Sequence, residues 1–376
     1  MLVLRCPRWC SSGWRSSPSW SWPGEATLRP SNPEPAPAPA AEALALSGVD
    51  VCYGRFRAVR GASLALAPGE LVALLGRSGS GKTTLLRAVA GFERVAAGEI
   101  RLAGQVIESP AHHVPAHRRS VGLVFQEYAL FPNLTVAGNI GYGLKREERG
   151  RVEELLRMAH LEGLGGRYPH QLSGGQQQRV ALLRSLAPRP RVLLLDEPFS
   201  NLDAGLRVQV RDEVAAILRA EGMTALLVTH DRADAMAIAD RIAVMDAGAI
   251  IEVAAPRALY FEPAARAAAG YGGDAQFLPG EGHGPFAACA LGQVRLARPF
   301  RGPCDLLIRP EWLRIREGGA PARVVALRFE GAVTRLDLEV GGVRLAMTAP
   351  SSELAAPGET VAVAPAVPPV PFPREA

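Results

Sequence analysis

The sequence lacks any uninterrupted apolar run approaching the ~20 residues that a membrane-spanning helix requires, although 48% of its 376 residues are hydrophobic and the mean hydropathy is +0.07. A soluble or membrane-peripheral chain is therefore expected. Lysine is nearly missing, found only at positions 82 and 145. The formal charge of +5 rests on arginines spread along the chain without a basic block, which argues against a dedicated nucleic-acid surface. The cysteines (Cys6, Cys10, Cys52, Cys289, Cys304) are few, odd in number and without metal-ligand spacing to histidine partners. They read as reduced cytosolic thiols. His112-His113 and His117 lie between and beyond Pro110 and Pro115, so an exposed loop with solvated histidines is expected there rather than a metal site. No internal repeat is evident, and the length suits two domains plus a tail.

What is present is organised around Gly76-Arg77-Ser78-Gly79-Ser80-Gly81-Lys82-Thr83-Thr84. The apolar run Leu71–Leu75 precedes it and a helix-like segment, Leu85–Ala90, follows. This fits the G-x-x-x-x-G-K-[ST] phosphate loop, whose glycines let backbone N–H groups close around phosphate oxygens at a helix N-terminus. Lys82 would reach the β- and γ-phosphates, Thr83 would place its hydroxyl on Mg²⁺, and Thr84 could add a further hydroxyl. A Gly/Ser-rich turn between strand and helix is the plain alternative.

Residues 1–43 differ from the rest. Trp9, Trp14, Trp20 and Trp22 sit in a Ser/Pro/Arg-rich background that becomes the Pro-Ala run Pro33–Ala41, with no helical or strand period, so disorder is expected. A cleaved targeting sequence is the alternative, but the apolar run Met1–Leu4 is too short for a secretory core. A misassigned start is also open; it would be non-AUG, because no other Met precedes Met158.

From Leu44 onward the pattern is ordered. Leu44–Val51 and Ala62–Leu66 read as short strands, with Tyr53 beside the turn between them. An aromatic ring there is placed to stack on a nucleobase, although a tyrosine in such a turn is commonly structural. Val121–Gln126 reads as a buried strand ending in a polar residue, where parallel α/β sheets meet ligands; Gln126 could touch metal or attacking water, or simply end a strand. Glu127–Val136 carries Tyr128, Phe131 and Pro132, and an exposed apolar patch there would suggest a docking surface. Arg151–Ala159 has helical spacing. Ser173-Gly174-Gly175-Gln176 then precedes the helical run Val180–Leu186, making a second anion-receptive helix end.

The apolar strand Val192–Leu195 ends in Asp196-Glu197. Asp196 is placed to hold Mg²⁺ through water and Glu197 to polarise the attacking water as general base. Ser200-Asn201-Leu202-Asp203 and a helix over Leu206–Ala220 follow. Another buried strand, Ala225–Thr229, ends at His230, which could bond the γ-phosphate.

Taken together, Gly76–Thr84, Gln126, Leu172–Gln176, Val192–Glu197, Ser200–Asp203 and His230 resemble the ATP-binding subunits of ABC transporters across roughly residues 44–274. The resemblance implies an α/β P-loop NTPase domain with a helical signature subdomain. It makes Tyr53 the adenine-stacking aromatic, Gln126 the metal- and water-sensing glutamine, Glu197 the catalytic carboxylate, His230 the switch histidine and Asp203 an acid that crosses between subunits. It implies a head-to-tail dimer with a second copy of the chain, in which the Ser173–Gln176 turn of one copy covers ATP held by the other. Asn201 and Ser185 depart mildly from the commonest family wording.

A finer likeness, in Val121–Val136, Arg167–Arg184 and Tyr271–Gly280, is to the ferric-ion importer ATPases. Polyamine, sulfate, molybdate and sugar importers are near relatives. It implies ATP and Mg²⁺ as cofactors, transmembrane permease subunits as partners, an indirect link to a periplasmic solute-binding protein, and a peripheral position on the cytoplasmic face of the inner membrane. A soluble ABC ATPase acting on DNA or ribosomes and a regulatory binder with incidental turnover are the alternatives; no nucleic-acid partner is expected. Beyond Pro279, β-like runs at Leu306–Ile308, Arg323–Phe329, Thr334–Val340, Val343–Met347 and Thr360–Ala364 read as a small all-β barrel. That barrel resembles the oligonucleotide-fold-like (TOBE-type) domain of the same importers, with Ile308-Arg309-Pro310-Glu311 its most recognisable piece. The expected division is 1–43, 44–278, 279–366 and a loose Pro-rich tail over 367–376.

Overall fold

The computed structural model describes residues 42–352 and 355–374; most of the segment 1–43 lies outside them. The strands β1 (Leu44–Tyr53) and β2 (Phe56–Leu66) form an antiparallel hairpin. β3 (Leu71–Leu75) runs into the phosphate loop and α1 (Lys82–Ala90), and the hairpin of β4 (Ala97–Leu102) and β5 (Gln105–Glu108) pairs back onto β1. After β6 (Val121–Val124) come α2 (Val136–Ile140), α3 (Arg151–Met158) and α4 (Gly174–Leu186). Then follow β7 (Val192–Asp196), α5 (Ala204–Ala220), β8 (Ala225–Thr229), α6 (Arg232–Ile238), β9 (Arg241–Asp246), β10 (Ala249–Ala254), α7 (Pro256–Phe261) and α8 (Ala269–Gly272).

The central sheet has the order β10-β9-β3-β8-β7-β6, parallel except for β10. Its strands read as continuous apolar runs because both faces are covered. Leu71, Ala73 and Leu75 of β3 join the core that holds α4 and α5, while Val72 and Leu74 point to the core that holds α1 and the antiparallel sheet. β7 divides in the same way, with Leu193 and Leu195 on one side and Val192 and Leu194 on the other. The carboxyl ends of β3, β8 and β7 therefore emerge side by side.

The C-terminal part is built from β11 (Gln276–Cys289), β12 (Gly292–Ile308), β13 (Leu313–Phe329), β14 (Val333–Val340), β15 (Val343–Pro350), β16 (Thr360–Pro365) and β17 (Val370–Pro373). They form two sheets, β11-β12-β17 and β15-β14-β13-β16, over one shared core. The Pro-rich end is not loose as expected. Val370 and Phe372 are buried beside Trp312 and Leu307, and among the described residues β17 pairs only with β12. An edge strand tolerates the missing N–H groups of Pro371 and Pro373.

One side chain ties this domain to the first. Arg309, fully buried, donates to the carbonyls of Tyr260 (2.9 and 3.0 Å), Asp274 (3.1 Å) and Ala269 (3.2 Å), and its guanidinium lies 4.4 Å from the Tyr260 ring centroid. A Cβ on Gly273 would stand 2.7 Å from Arg309 Nη1, and one on Gly272 2.5 Å from the backbone oxygen of Leu259, where the close approach leaves no room for a side chain.

Candidate functional site

The phosphate-loop sequence folds into an uncapped helix start. Gly81 ends the loop with φ of 100°, and α1 begins at Lys82 without a side-chain cap and without an acid in its first turn. Its leading N–H groups have no intrahelical partners, and the partial positive charge of the helix end is uncompensated. The glycines are required sterically as well: a Cβ on Gly76 would lie 2.4 Å from Met245 O, and one on Gly81 2.5 Å from Ala58 O. Arg77, Ser78 and Gly79 are exposed at the loop's outer edge, whereas Ser80 is buried with its hydroxyl unpartnered.

Lys82 is buried and curls back to donate to Gly76 O and Arg77 O, both at 2.9 Å. Burial lowers its pKa, against which the charges of Glu197 and Asp196 push upward. Thr83 Oγ1 donates to Asp196 Oδ1 at 3.2 Å. Asp196 closes β7, and burial raises its pKa while the Thr83 hydrogen bond opposes the rise. Tyr53, about half exposed at the end of β1, lies near Thr84 in the first turn of α1 and near Glu93; partial desolvation raises its pKa.

Glu197 follows Asp196 with φ of 45°, a left-handed conformation that a non-glycine residue seldom adopts. Its N–H donates to Val228 O at 2.9 Å, which fixes the turn against β8. Glu197 Oε2 then lies 2.9 Å from His230 Nδ1, and His230 remains half exposed. Gln126 is exposed just past β6, and its carbonyl accepts from Asn201 Nδ2 at 2.9 Å. Asn201, a departure in wording, thus joins two loops of the site. Gly76, Arg77, His230 and Tyr271 line one cleft of about 430 Å³. A larger one, about 940 Å³, lies at the opposite ends of the strands against Pro68, Arg191 and Thr224. The carboxyl ends are where α/β sheets bind ligands, so the smaller cleft is the candidate site.

The structure keeps the second motif apart. Ser173 caps α4 in a reciprocal box: its hydroxyl accepts from Gln176 N at 3.4 Å, and Gln176 Oε1 accepts from Ser173 N at 3.0 Å. Gly175 lets α4 approach α5, since a Cβ there would stand 2.8 Å from Val210, and Gly174 is exposed beside Leu202. Asp203 caps α5 through Leu206 N at 2.9 Å. Among the described residues no hydrogen bond or ion pair joins Ser173–Gln176 or Asp203 to the phosphate loop.

Residues 59–200 match the family model described as ABC transporter, and residues 306–367 match the TOBE domain. The chain is 45% identical over 311 residues to the Fe(3+) ions import ATP-binding protein FbpC of Pseudomonas fluorescens, covering 80% of this chain and 88% of that one. It is 49% identical over 305 residues to the sulfate/thiosulfate import ATP-binding protein CysA 2 of Chromobacterium violaceum, covering 77% and 82%. The chain belongs to the ATP-binding subunits of ABC transporters. A solved ATP-binding cassette, MJ0796 in a dimeric post-hydrolysis state bound to ADP and Pi, is 30% identical to this ABC subunit over 56% of it and 98% of that chain, with a TM-score of 0.49.

The region of the ABC subunit expected to dock a partner is organised differently from its sequence reading. Tyr128 is buried in the core, not exposed. Exposed aromatics flank the segment instead, at Phe125, Tyr142 and Tyr168, with the Tyr142 ring tilted at 37° to that of Phe131 and the centroids 4.3 Å apart. Arg184 holds the loop by donating to Ala129 O (2.6 Å) and Tyr128 O (3.0 Å). Ser185, the other departure, donates to Leu123 O at 2.7 Å and so serves helix-to-sheet packing. His113 is not a solvated loop histidine: its Nδ1 lies 2.6 Å from Glu108, which also pairs with buried Arg119. Arg207, which spans from the Leu202 carbonyl to Asp231, belongs to no motif and carried no signal in the sequence, and Tyr271, which donates to Asp246 at 3.2 Å, was read only as the start of a junction segment and not as a site residue.

Proposed function

We propose that this chain is the ATP-hydrolysing subunit of an importer that drives ferric ion through a separate membrane permease from the cytoplasmic face of the inner membrane. The observation that carries the reading is that loop, acid pair and histidine converge on three neighbouring strand ends while the Ser173 turn stands outside. One chain thus holds a pocket that lacks its cover. A second copy, packed head to tail, supplies it.

The triphosphate sits on the N–H groups of Gly79–Thr84, with Ser78 and the unpartnered Ser80 hydroxyl at hand. Lys82 exchanges its two loop carbonyls for phosphate oxygens. Tyr53 stacks on the base. The oxygen donors at Thr83 and Asp196 suit Mg²⁺, a hard cation, and Asp196 has no ion-pair partner among the described residues. Thr83, Asp196 and Gln126 would hold the ion, which neutralises phosphate charge when bound. Glu197 accepts the proton of the attacking water, and His230 keeps that carboxylate oriented and touches the γ-phosphate. Because phosphoryl transfer to water depends on positioning and charge neutralisation, an open half-site is slow. Ser173, Gly174, Gly175 and Gln176 of the other copy complete it, with Asp203 at the boundary. Loss of the bridging phosphate then lets the copies part, a two-state change that a permease can use. A periplasmic binding protein delivers the solute on the far side.

The sulfate-importer relative, at 49% identity, favours sulfate as the second reading. Uptake of radiolabelled ferric iron and of labelled sulfate, measured in a deletion strain with and without the gene, separates the two. For the chemistry, Glu197→Gln is expected to cut phosphate release by more than about 100-fold while trapping the ATP-bound dimer. Cysteines placed at Ser78 and Ser173 should then cross-link between chains; cross-links formed only within one chain defeat the shared-pocket reading.

A further inference from the structure

Asp203 and His230 stand on different elements, yet one side chain spans them. Arg207 lies one turn into α5 from the Asp203 cap, and its backbone N–H donates to Asp203 O at 2.9 Å. Its guanidinium forks. Nη2 donates to Leu202 O at 3.3 Å, inside the turn that presents Asp203, and Nη1 donates to Asp231 Oδ2 at 2.8 Å, on the residue after His230. Asp231 is divided between two tasks. Its Oδ1 caps α6 through Ala233 N (2.7 Å) and Asp234 N (3.4 Å), leaving Oδ2 for the arginine.

A second contact runs parallel to the first. Arg211, four residues on along α5, approaches Asp234, three residues on along α6, at 3.8 Å. The i, i+4 and i, i+3 spacings put both arginines on one stripe and both acids on the facing one. A part-exposed ion pair contributes little to folding, so stability alone gives little reason for the arrangement. The fork geometry does: an arginine can hold a carbonyl and a carboxylate in one plane, which a lysine cannot.

We infer that Arg207 is a positioning residue that couples the Leu202-Asp203 turn to the His230-Asp231 turn, so that a second copy of the chain engaging Asp203 fixes His230 against Glu197. This rests on the proposed reading of Asp203 as facing the other copy and His230 as facing the γ-phosphate. Arg207 makes its side-chain hydrogen bonds to Leu202 and Asp231, not to Glu197 or the phosphate loop, and so acts through Asp231.

The test is a double-substitution cycle on full-length protein, read as kcat and KM for ATP in phosphate-release assays. Arg207→Ala is expected to lower kcat about 10-fold with KM changed less than about 2-fold, the signature of a contact needed only in the reacting state. In a His230→Ala background, the same change is expected to shift kcat less than about 2-fold, because the pair acts as a unit. Arg207→Lys, which keeps charge but not the fork, should fall between; it also completes the cycle if Arg207→Ala does not fold. An equal loss from Arg207→Ala in both backgrounds, or a rise in KM at unchanged kcat, overturns the coupling. If His230→Ala alone turns over like wild type, the underlying site reading fails and the inference falls with it, a pattern distinct from an additive cycle.

Discussion

Two helix starts in this chain, both proposed above to meet phosphate, are built in opposite ways. α1 opens on Gly81 in a left-handed conformation, with no side-chain cap and with Ser80 buried and unpartnered beside it. α4 opens on Ser173, whose hydroxyl and backbone are engaged reciprocally with Gln176. Orphan N–H groups at a helix end are unfavourable unless something satisfies them. The first start forgoes local stability, as expected of one that a ligand would finish. The second is stable alone, but through a long 3.4 Å bond in an exposed turn, which an incoming oxyanion can displace at little loss. A fixed cradle and a self-contained cover suit a pocket made by two molecules.

The sharpest way to break this comparison is at the cradle. Lys82→Ala should reduce ATP turnover by more than about 100-fold, equivalent to ~3 kcal/mol, measured by phosphate release; turnover near wild type would mean that α1 is not the phosphate-binding start. A third helix start at the same sheet edge, α6, extends the comparison through pH. Asp234, one turn into α6, is buried, and desolvation, aided by the nearby charge of Asp231, raises its pKa to about 6 against the opposing effect of Arg207, Arg211 and His230. The folded chain thus holds this proton more tightly than the unfolded one. The stability it contributes is complete below pH 3.8 and is lost as pH rises through about 6, by up to ~3 kcal/mol. Urea denaturation at several pH values should show that slope in wild type and its loss in Asp234→Asn.

A smaller effect is expected from Gly81→Ala. Its φ of 100° and the 2.5 Å approach to Ala58 O should destabilise the fold by about 2 kcal/mol and also blunt nucleotide binding, seen in a thermal shift with and without ATP. The smallest belongs to the cover. Ser173→Ala removes a cap, about 1 kcal/mol of stability. It should leave nucleotide affinity of the single chain unchanged while weakening ATP-driven association of the Glu197→Gln variant in sedimentation. If Ser173→Ala lowers single-chain nucleotide affinity as Gly81→Ala does, the two starts are not distinct in kind.

The sequence carried the α/β half well because burial on both faces writes a strand as an unbroken apolar run. Leu71–Leu75 and Ala225–Thr229 appear as strands with the expected bounds. The placement of polar residues at the strand ends was legible for a related reason: Asp196, Glu197 and His230 stand at the end of such runs. The β half was read only in part. β11 and the first part of β12 were missed, since Gly280, Gly282 and Gly284 imitate turn signals; Gly282 is there because a Cβ would meet Phe300 O at 2.7 Å. β17 was hidden by its prolines, which an edge position permits. Glu127–Val136 was read as a docking surface on condition that its apolar residues were exposed, and Tyr128 is instead buried in the core shared with α2 and α4. The Arg207 fork depends on distances between two helices, which no spacing within either one encodes.

The buried guanidinium of Arg309 sets a limit on how this molecule can be divided. Truncation at the end of the nucleotide-binding part would strip three carbonyl oxygens, at Tyr260, Ala269 and Asp274, of their common donor and uncover the Tyr260 and Phe261 rings that now pack on Trp312. The isolated fragment would present sticky aromatic surface beside unsatisfied backbone. A preparation lacking the last domain should therefore self-associate or resist refolding for reasons unrelated to ATP.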